Sequence, residues 1–364
     1  MNARTVHPFT ARTRIVHASS GRLLERLCAG LDERMRLERS ADRATVEGWF
    51  GRVELSVDAS GALLVRGVSP GEDTLSVLRM FVAERIHAVA GEDAPSFVWE
   101  GHGAGSTALP YFREMRVARA FQVTPLMRRV VLAGDAAHFA GPGLHVRVLM
   151  PRPGRAPVWP HAAPDGRTVW PSGEDALVAR VYTVREVDQA RAEVAIDVVL
   201  HEGTSTPGAD WARGVRPGDL VGLLGPGGAG LPPSSWHLIA GDETALPAIA
   251  RMVAALPAEA QAVVRIEVAG EVERQPLPSP ARLDVEWLHR DGAAPGTTAL
   301  LEEAVRRVGR PPVDPEACHV WAGCEQRAAR ALRAYATGAL GIRKSRCAIA
   351  AYWRLGHEGV DVGE

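Results

Sequence analysis

The sequence predicts a multidomain α+β chain: a small α+β domain, then an antiparallel β-barrel, then an α/β domain built on a parallel sheet. Three observations carry that prediction. Short alternating apolar runs mix with two helical patterns ahead of residue 100; six short strand-like runs follow, broken by Pro and Gly; from Trp236 onward strand and helix patterns alternate. The boundaries expected from these shifts are 1–108, 109–233 and 234–364, the first set by the Gly/Ser-rich stretch Gly101–Ala108.

In the first zone, Arg22–Leu31 repeats its apolar residues at helical spacing, and Ala44–Phe50, Val53–Val57 and Ala62–Arg66 read as strands closed by Gly or Asp. Asp73–Ala90 is a second helix, with Leu75, Leu78, Val82, Ile86 and Val89 on one face and Phe81 at its edge. The barrel strands are Glu114–Val123, Met127–Leu132, His145–Met150, Leu177–Val184, Val194–Leu200 and Asp219–Leu224. Closure is the economical arrangement for six such strands, because it leaves no edge exposed. In the third zone, WHLIAGDETALPAIARMVAAL, AVVRIEVAG, DVEWLHRDG, TALLEEAVRRVG and HVWAGCEQRAARALRAYATGAL alternate strand and helix, the signature of a parallel sheet with crossover helices.

Composition excludes several classes. With 364 residues and 46% hydrophobic content the chain can fill two or three cores, so disorder is not expected. Lys+Arg (42) nearly balances Asp+Glu (43), which gives no bulk attraction to nucleic acid. Lys344 is the only lysine, so any basic site is built from arginine. Cys28, Cys318, Cys324 and Cys347 form no C-x-x-C pair and no metal-spaced cluster, which points to a reduced, cytoplasmic protein without disulfide framework or bound metal. No signal-peptide pattern and no 18-residue apolar run occur, so no membrane span is expected.

The strongest local signal opens the third zone. Leu238–Ala240 is a strand, Gly241–Asp242–Glu243–Thr244 a turn and Ala245–Leu256 a helix, so backbone N–H groups and a Thr hydroxyl stand where a pyrophosphate binds in open α/β sheets. An ordinary turn capped by Asp242 or Thr244 is the other reading. Val320–Glu325 repeats the geometry, and two strand ends at one crevice favour a dinucleotide. In the barrel zone, alternation places Arg180 and Tyr182 on one face and Thr183 on the other. A cation and an aromatic so placed suit a diphosphate and a flat ring; a structural Tyr beside a surface Arg also satisfies the pattern. Beyond His201, the small residues through Pro207, Gly208 and Ala209 permit close backbone approach, and Trp211 is expected to begin a short helix.

From Phe112 to Gly356 the chain resembles the siderophore-interacting proteins, a branch of the ferredoxin-reductase-like flavoproteins. The stretches that carry the resemblance are VARAFQVTPLMRRVVLAG, HVRVLMP, VWP, WPSG, ARVYTVR, IDVVLHEG, PGADWA, RPGDLVGLLGPGG, WHLIAGDETALPAIARMV, VEWLHR, VWAGCE and AYWRLG, in family order. Residues 13–100 resemble a small domain of unknown function sometimes fused ahead of such reductases.

The resemblance implies an FAD-binding barrel and an NAD(P)H-binding sheet domain. It gives Arg180, Tyr182 and Thr183 to the flavin, with Tyr182 against the isoalloxazine and Arg180 at the pyrophosphate, and His201 with Pro207, Gly208, Ala209 and Trp211 to the phosphate and adenosine side. It gives Gly241, Asp242, Glu243, Thr244 and Ala245 to the nicotinamide dinucleotide, Gly323 and Glu325 to the ring end, and Tyr352 with Trp353 to the aromatic cover over the flavin. Arg290 is expected to meet a 2′-phosphate, which favours NADPH over NADH. Arg147 and Arg354 are expected to attract an anionic ferric siderophore. Two departures stand out. The family's Gly-Pro-Ala-Ser-x-Trp-Ala turn reads Thr206-Pro207-Gly208-Ala209-Asp210-Trp211-Ala212 here, and Cys324 replaces a Gly.

The implied activity is reduction of a ferric siderophore by NADPH, NADH or ferredoxin through FAD, in a monomer that needs no acid, base or nucleophile. Alternatives are a general NAD(P)H:flavin or quinone reductase, and a non-catalytic siderophore-binding module that has lost FAD. Gly227–Gly228, where several members carry a basic residue, leans toward a neutral acceptor.

Overall fold

The computed structural model describes residues 8–31, 35–200 and 206–357, and they form two compact units. The first comprises residues 1–112 and 156–176, the second residues 113–155 and 177–364.

In the first unit, β1 (Phe9–Ile15), β2 (Arg36–Arg39), β3 (Arg43–Gly48), β4 (Gly51–Val57), β5 (Leu63–Ser69) and β6 (Glu100–Gly101) form one sheet in the order β2-β3-β4-β5-β1-β6. Helices α1 (Ser20–Cys28) and α2 (Glu72–Ala90) bury Leu23, Leu24, Leu27, Leu75, Leu78, Val82 and Ile86 against the inward residues Val46, Val53, Leu55, Leu63 and Val65. Gly67 lies beneath α2; a Cβ there would meet Leu78 Cδ2 at 2.6 Å, so the glycine sets the helix-to-sheet distance.

The second unit begins with the barrel. Strands β7 (Phe112–Thr124), β8 (Met127–Ala133) and β9 (His145–Met150) are followed by an excursion carrying β10 (His161–Ala162) and β11 (Thr168–Val169). That excursion, residues 156–176, packs with the first unit, where Trp99 Nε1 donates to the Asp165 carbonyl at 2.8 Å and His87 meets Asp165 at 3.1 Å. A continuous boundary at 108/109 does not anticipate this packing; the Pro- and Gly-rich composition of these residues conceals it. The barrel resumes with β12 (Val178–Asp188), β13 (Glu193–Val199), helix α3 (Pro207–Gly214) and β14 (Leu220–Gly227). It closes in the order β12-β13-β8-β7-β14-β9, as the six-strand pattern predicts. Its interior holds Val117, Val130, Leu132, Val146, Val148, Val184, Ile196 and Leu223.

The sheet domain runs through β15 (Trp236–Asp242), α4 (Leu246–Ala254), β16 (Gln261–Val268), β17 (Arg282–His289), α5 (Leu300–Val308), β18 (Cys318–Glu325), α6 (Gln326–Ala334) and β19 (Cys347–Trp353). All its pairings are parallel, in the order β17-β16-β15-β18-β19. Helix α4 covers the face of Ile239, Val264, Ile266 and Trp321; α5 and α6 cover the face of Leu238, Ala240, Val320 and Ala322. The strand order reverses between β15 and β18, and in open α/β sheets that switch point is where ligands bind. Barrel and sheet are joined by buried polar anchors. Glu273 accepts from Thr124 Oγ1 at 2.5 Å and from Leu126 N at 3.0 Å, while Arg251 donates to the carbonyls of Gly143 and Val184, each at 3.0 Å.

At the foot of the sheet, His237 and His319 are register partners with ring centroids 6.3 Å apart. Both are buried, and neither ring nitrogen of His319 has a partner among the described residues. Burial, with the fields of His237 and Arg346, holds His319 down at about 4. The fold therefore keeps it neutral. Its contribution is complete above the unfolded value near 6.5 and is lost as pH falls through about 4. We expect acid to cost the wild type about 1–2 kcal/mol from this group after solvent screening. His319→Phe removes that component, and urea unfolding of the two proteins at pH 7.5 and 4.5 checks the difference.

Candidate functional site

Two constellations lie in the second unit. The first follows from a change of partner along β12. Val178–Thr183 pair with β9, whereas Val184–Asp188 pair with β13, with a bulge between Val184 and Glu186. Where β12 passes from one neighbour to the other, α3 packs beside it. Helix α3 is capped by Thr206, whose Oγ1 accepts from Ala209 N at 3.4 Å, and Pro207 opens its first turn. Trp211 sits inside this helix, not at its start, because Thr206 and Pro207 supply the cap and first residue.

Tyr182 and Trp211 both pack against the barrel core. Gly208 lies against the Tyr182 hydroxyl so closely that a Cβ there would approach Oη to 1.9 Å. The family's Ala could not stand there with Tyr182 in this position. Burial, opposed by Arg180, pushes the Tyr182 hydroxyl up to about 12, so it stays protonated at any working pH. Arg180 Nη1 donates to the Ala179 carbonyl at 2.6 Å, and Thr183 is buried. Ala209 is buried; Asp210 pairs with Arg213 one turn on at 3.2 Å. That pairing offsets the negative charge the altered turn introduces. His201 lies outside the described residues. We expect Gly208→Ala to lower the unfolding midpoint by several degrees and Tyr182→Phe to recover most of it. Thermal unfolding of the single and double variants reads this coupling.

The second constellation is the switch point. Gly241 and Gly323 are register partners at the strand ends; a Cβ on Gly241 would meet the Gly323 carbonyl at 2.8 Å and Ala245 Cβ at 2.7 Å. Tyr352 lies over Gly323, where a Cβ would be 2.9 Å from its ring, and its hydroxyl is 2.8 Å from His145 Nε2 on the barrel. Trp353 Nε1 donates to Asp242 Oδ2 at 2.8 Å, and Leu355 N donates to Glu325 Oε1 at 3.2 Å. Residues 352–355 thus cross both strand ends. Burial, reinforced by Glu243, pushes Asp242 up to about 7, while hydrogen bonds from Thr244 and Trp353 pull the other way. Cys324 is buried at this edge, and burial pushes its thiol up, away from thiolate chemistry.

Several side chains expected to face a dinucleotide turn inward. Thr244 gives its N–H (2.9 Å) and hydroxyl (2.5 Å) to Asp242 Oδ1. Glu243 takes a bidentate pair from Arg290 at 2.6 and 2.8 Å, and Glu267 lies 3.5 Å from the same guanidinium. The Arg290 side chain is 2% exposed. The expectation that it meets a 2′-phosphate is corrected: its charge is already neutralised by two carboxylates in the sheet edge. Glu325 is the N-cap of α6, accepting from Arg327 N at 2.5 Å. The unpaired backbone donors of the first turn of α4 are the N–H groups of Leu246 and Ala248, since Pro247 between them has none. Arg147 is exposed on the outer barrel wall between Val181 and Leu224, and Arg354 is exposed in the tail.

Glu267 and His145 also belong to these clusters, though the sequence pattern does not single them out. Alternation along Val263–Val268 already puts Glu267 on the face of Asp242; nothing local in the sequence pairs His145 with Tyr352. Among the described residues no group of three or more His, Cys, Asp or Glu is placed to hold a metal, and no helix is long and apolar enough to cross a membrane.

The stretches of chain that carry both constellations resemble known proteins. Residues 116–230 match the siderophore-interacting FAD-binding domain and residues 234–356 the siderophore-interacting protein family. Residues 12–100 match an uncharacterized domain conserved in bacteria, DUF2218. An uncharacterized protein of Mycobacterium tuberculosis is 39% identical over 188 residues, which are 49% of this chain and 65% of that protein's length. The ferric vibriobactin reductase ViuB of Vibrio cholerae is 33% identical over 186 residues, 50% of this chain and 68% of that protein. Among solved structures, a siderophore utilization protein from T. fusca is 34% identical with a TM-score of 0.57, covering 69% of this chain and 95% of its own. The siderophore-interacting protein SipS of Aeromonas hydrophila gives 29% identity and a TM-score of 0.57, covering 68% and 93%. The barrel with α3 packed on β12, the parallel sheet with its glycine-lined switch point, and the sequence matches over both mark this chain as a member of the siderophore-interacting protein family.

Proposed function

We propose that the chain is a ferric-siderophore reductase, holding FAD on the barrel beside β12 and α3 and taking electrons from a nicotinamide dinucleotide at the switch point. The observation that supports it most is the contact of Tyr182 with Gly208 of the Thr206-capped α3, in the same unit as the strand-end glycine pair. The Vibrio cholerae relative is a ferric vibriobactin reductase, which agrees with it.

The residues divide the work. Arg180 and the Gly208 N–H in the first turn of α3 would hold the diphosphate, with Pro207 and Ala209 shaping that turn and Trp211 bracing the helix. Tyr182 presents its ring to the isoalloxazine, with Thr183 behind it. Gly241, Ala245 and the start of α4 receive the donor's pyrophosphate, with Asp242, Glu243 and Thr244 holding the turn; Gly323 and Glu325 border the ring end. Tyr352 and Trp353 cover the strand ends until the donor takes their place. Arg147 and Arg354 draw an anionic ferric chelate to the same side. Bound FAD supplies the conversion between a two-electron donor and one-electron acceptors. Chelated Fe(III), the substrate, gains one electron and leaves as Fe(II), which its chelator holds weakly. The setting we propose is a cytoplasmic monomer.

Turnover of a ferric siderophore with a nicotinamide donor, read by a chromogenic Fe(II) trap, tests the proposal. Fe(II) formation that requires both the protein and FAD supports it; no protein-dependent Fe(II) rejects it. Glycine at 227 and 228 favours a second reading, a reductase of neutral acceptors such as quinones. Under the siderophore reading, added salt slows an anionic chelate and leaves a neutral quinone unaffected.

A further inference from the structure

We infer that Arg251 is the positioning residue that fixes the donor's turn against the flavin strand. The inference rests on the reductase reading above and deepens it, by naming what sets the distance between its two halves. Helix α4 opens at the turn that would receive the donor and carries Arg251 in its last turn. The guanidinium reaches across to the barrel and takes three carbonyls there. Its Nη1 donates to Gly143 and Val184, each at 3.0 Å, and its Nη2 to Gly141 at 3.1 Å. Val184 directly follows Tyr182 and Thr183 on β12, and residues 141–143 lead into β9, whose His145 is the register partner of Thr183. One side chain thus ties the helix of the donor site to both strands at the flavin site.

The arrangement serves orientation more than stability. Arg251 is half-buried and forms no ion pair among the described residues, and burial pushes its guanidinium down from its usual value. A planar fork on three carbonyls sets an angle as well as a distance. The segment it grips is itself held: a Cβ on Gly143 would meet Pro226 Cβ at 2.7 Å, and Leu144 lies in the buried cluster of Ala245, Leu246 and Ile249 at the start of α4. The Val184 N–H donates to the Leu144 carbonyl at 2.8 Å, which closes the path from α4 through the start of β9 to β12. The same charge reaches the aromatic cover. Burial, reinforced by Arg251, holds His145 below its usual value, so the neutral ring can accept at Nε2 from the Tyr352 hydroxyl 2.8 Å away.

A shift of about 1 Å between reacting groups costs on the order of 100-fold in rate, so loosening this joint should separate binding from electron transfer. The test compares the full chain, supplied with FAD, with Arg251→Met and Arg251→Lys. We expect Arg251→Met to hold FAD and ADP-ribose within about threefold of the wild type, by flavin fluorescence and calorimetry. It should lose more than about half of the change that oxidised nicotinamide dinucleotide makes in the flavin bands, and its limiting rate of bleaching by the reduced donor should fall roughly 10- to 100-fold. Arg251→Lys, which keeps the charge and part of the grip, should recover most of both. Leu144→Ala loosens the same joint without touching the guanidinium; it should show the same split at about three- to tenfold, and decides the matter if Arg251→Met does not fold. Wild-type band change and rate in these variants, or an equal loss of FAD and ADP-ribose affinity, overturns the inference and leaves the reductase reading standing. A wild type whose flavin neither NADH nor NADPH perturbs or bleaches overturns the reductase reading, and this inference with it.

Discussion

Arg290→Met is expected to lower the unfolding free energy by about 3–5 kcal/mol, the largest loss for a single substitution in the sheet domain. The guanidinium is 2% exposed and lies between Glu243 and Glu267, whose side chains are 11% and 8% exposed. Burial works against the charge, but the Glu243 hydrogen bonds and the fields of Glu243, Glu267 and Asp242 outweigh it and hold the arginine above its usual value. Methionine fills the volume and leaves the carboxylates facing one another out of water. Their protonation then becomes the cheapest relief, so the deficit should shrink as pH falls from 8 to 5. Arg290→Lys keeps the charge but loses the two-pronged fit, and should fall between. Urea unfolding at both pH values measures all three proteins; a loss below about 1 kcal/mol at pH 8 would mean that the carboxylates have another partner.

The second large effect is on flavin retention. Tyr182→Ala should weaken FAD binding by about 2–3 kcal/mol, or roughly 30- to 150-fold, through loss of aromatic contact area and stacking beside α3. Tyr182→Phe keeps the ring and should stay within about threefold of the wild type, because its hydroxyl abuts Gly208 and is not needed to carry the ring. Flavin fluorescence titration reads both variants. Equal retention of FAD by Tyr182→Ala and the wild type would place the isoalloxazine elsewhere.

How far the sequence reveals this molecule depends on the range of each interaction. The barrel strands are legible because alternation and Pro/Gly breaks are local signals, and the observed strands match them to within a few residues. The strand–turn–helix at Gly241 is legible for the same reason. What stays hidden is what the side chains of that turn do. Glu243 and Arg290 are far apart in the chain and meet only because β17 and β15 flank β16 in the sheet. Read locally, Arg290 looks like a cation waiting for a phosphate. The placement of residues 156–176 is hidden likewise, since their partners Trp99 and His87 lie in the first zone. Gly208, read against the family's turn, is a departure; in the structure it is the space taken by Tyr182 Oη.

The central claim is that this barrel and sheet pass electrons from a nicotinamide donor to a chelated ferric ion, and an anaerobic visible spectrum tests it most directly. The protein is supplied with FAD and passed over a desalting column, then NADH or NADPH and finally an anionic ferric siderophore are added. The account predicts flavin bands that remain with the protein, bleach with a nicotinamide donor and return with the ferric chelate as trapped Fe(II) appears. Protein that emerges colourless, or bands that NADH and NADPH leave unchanged, would contradict it.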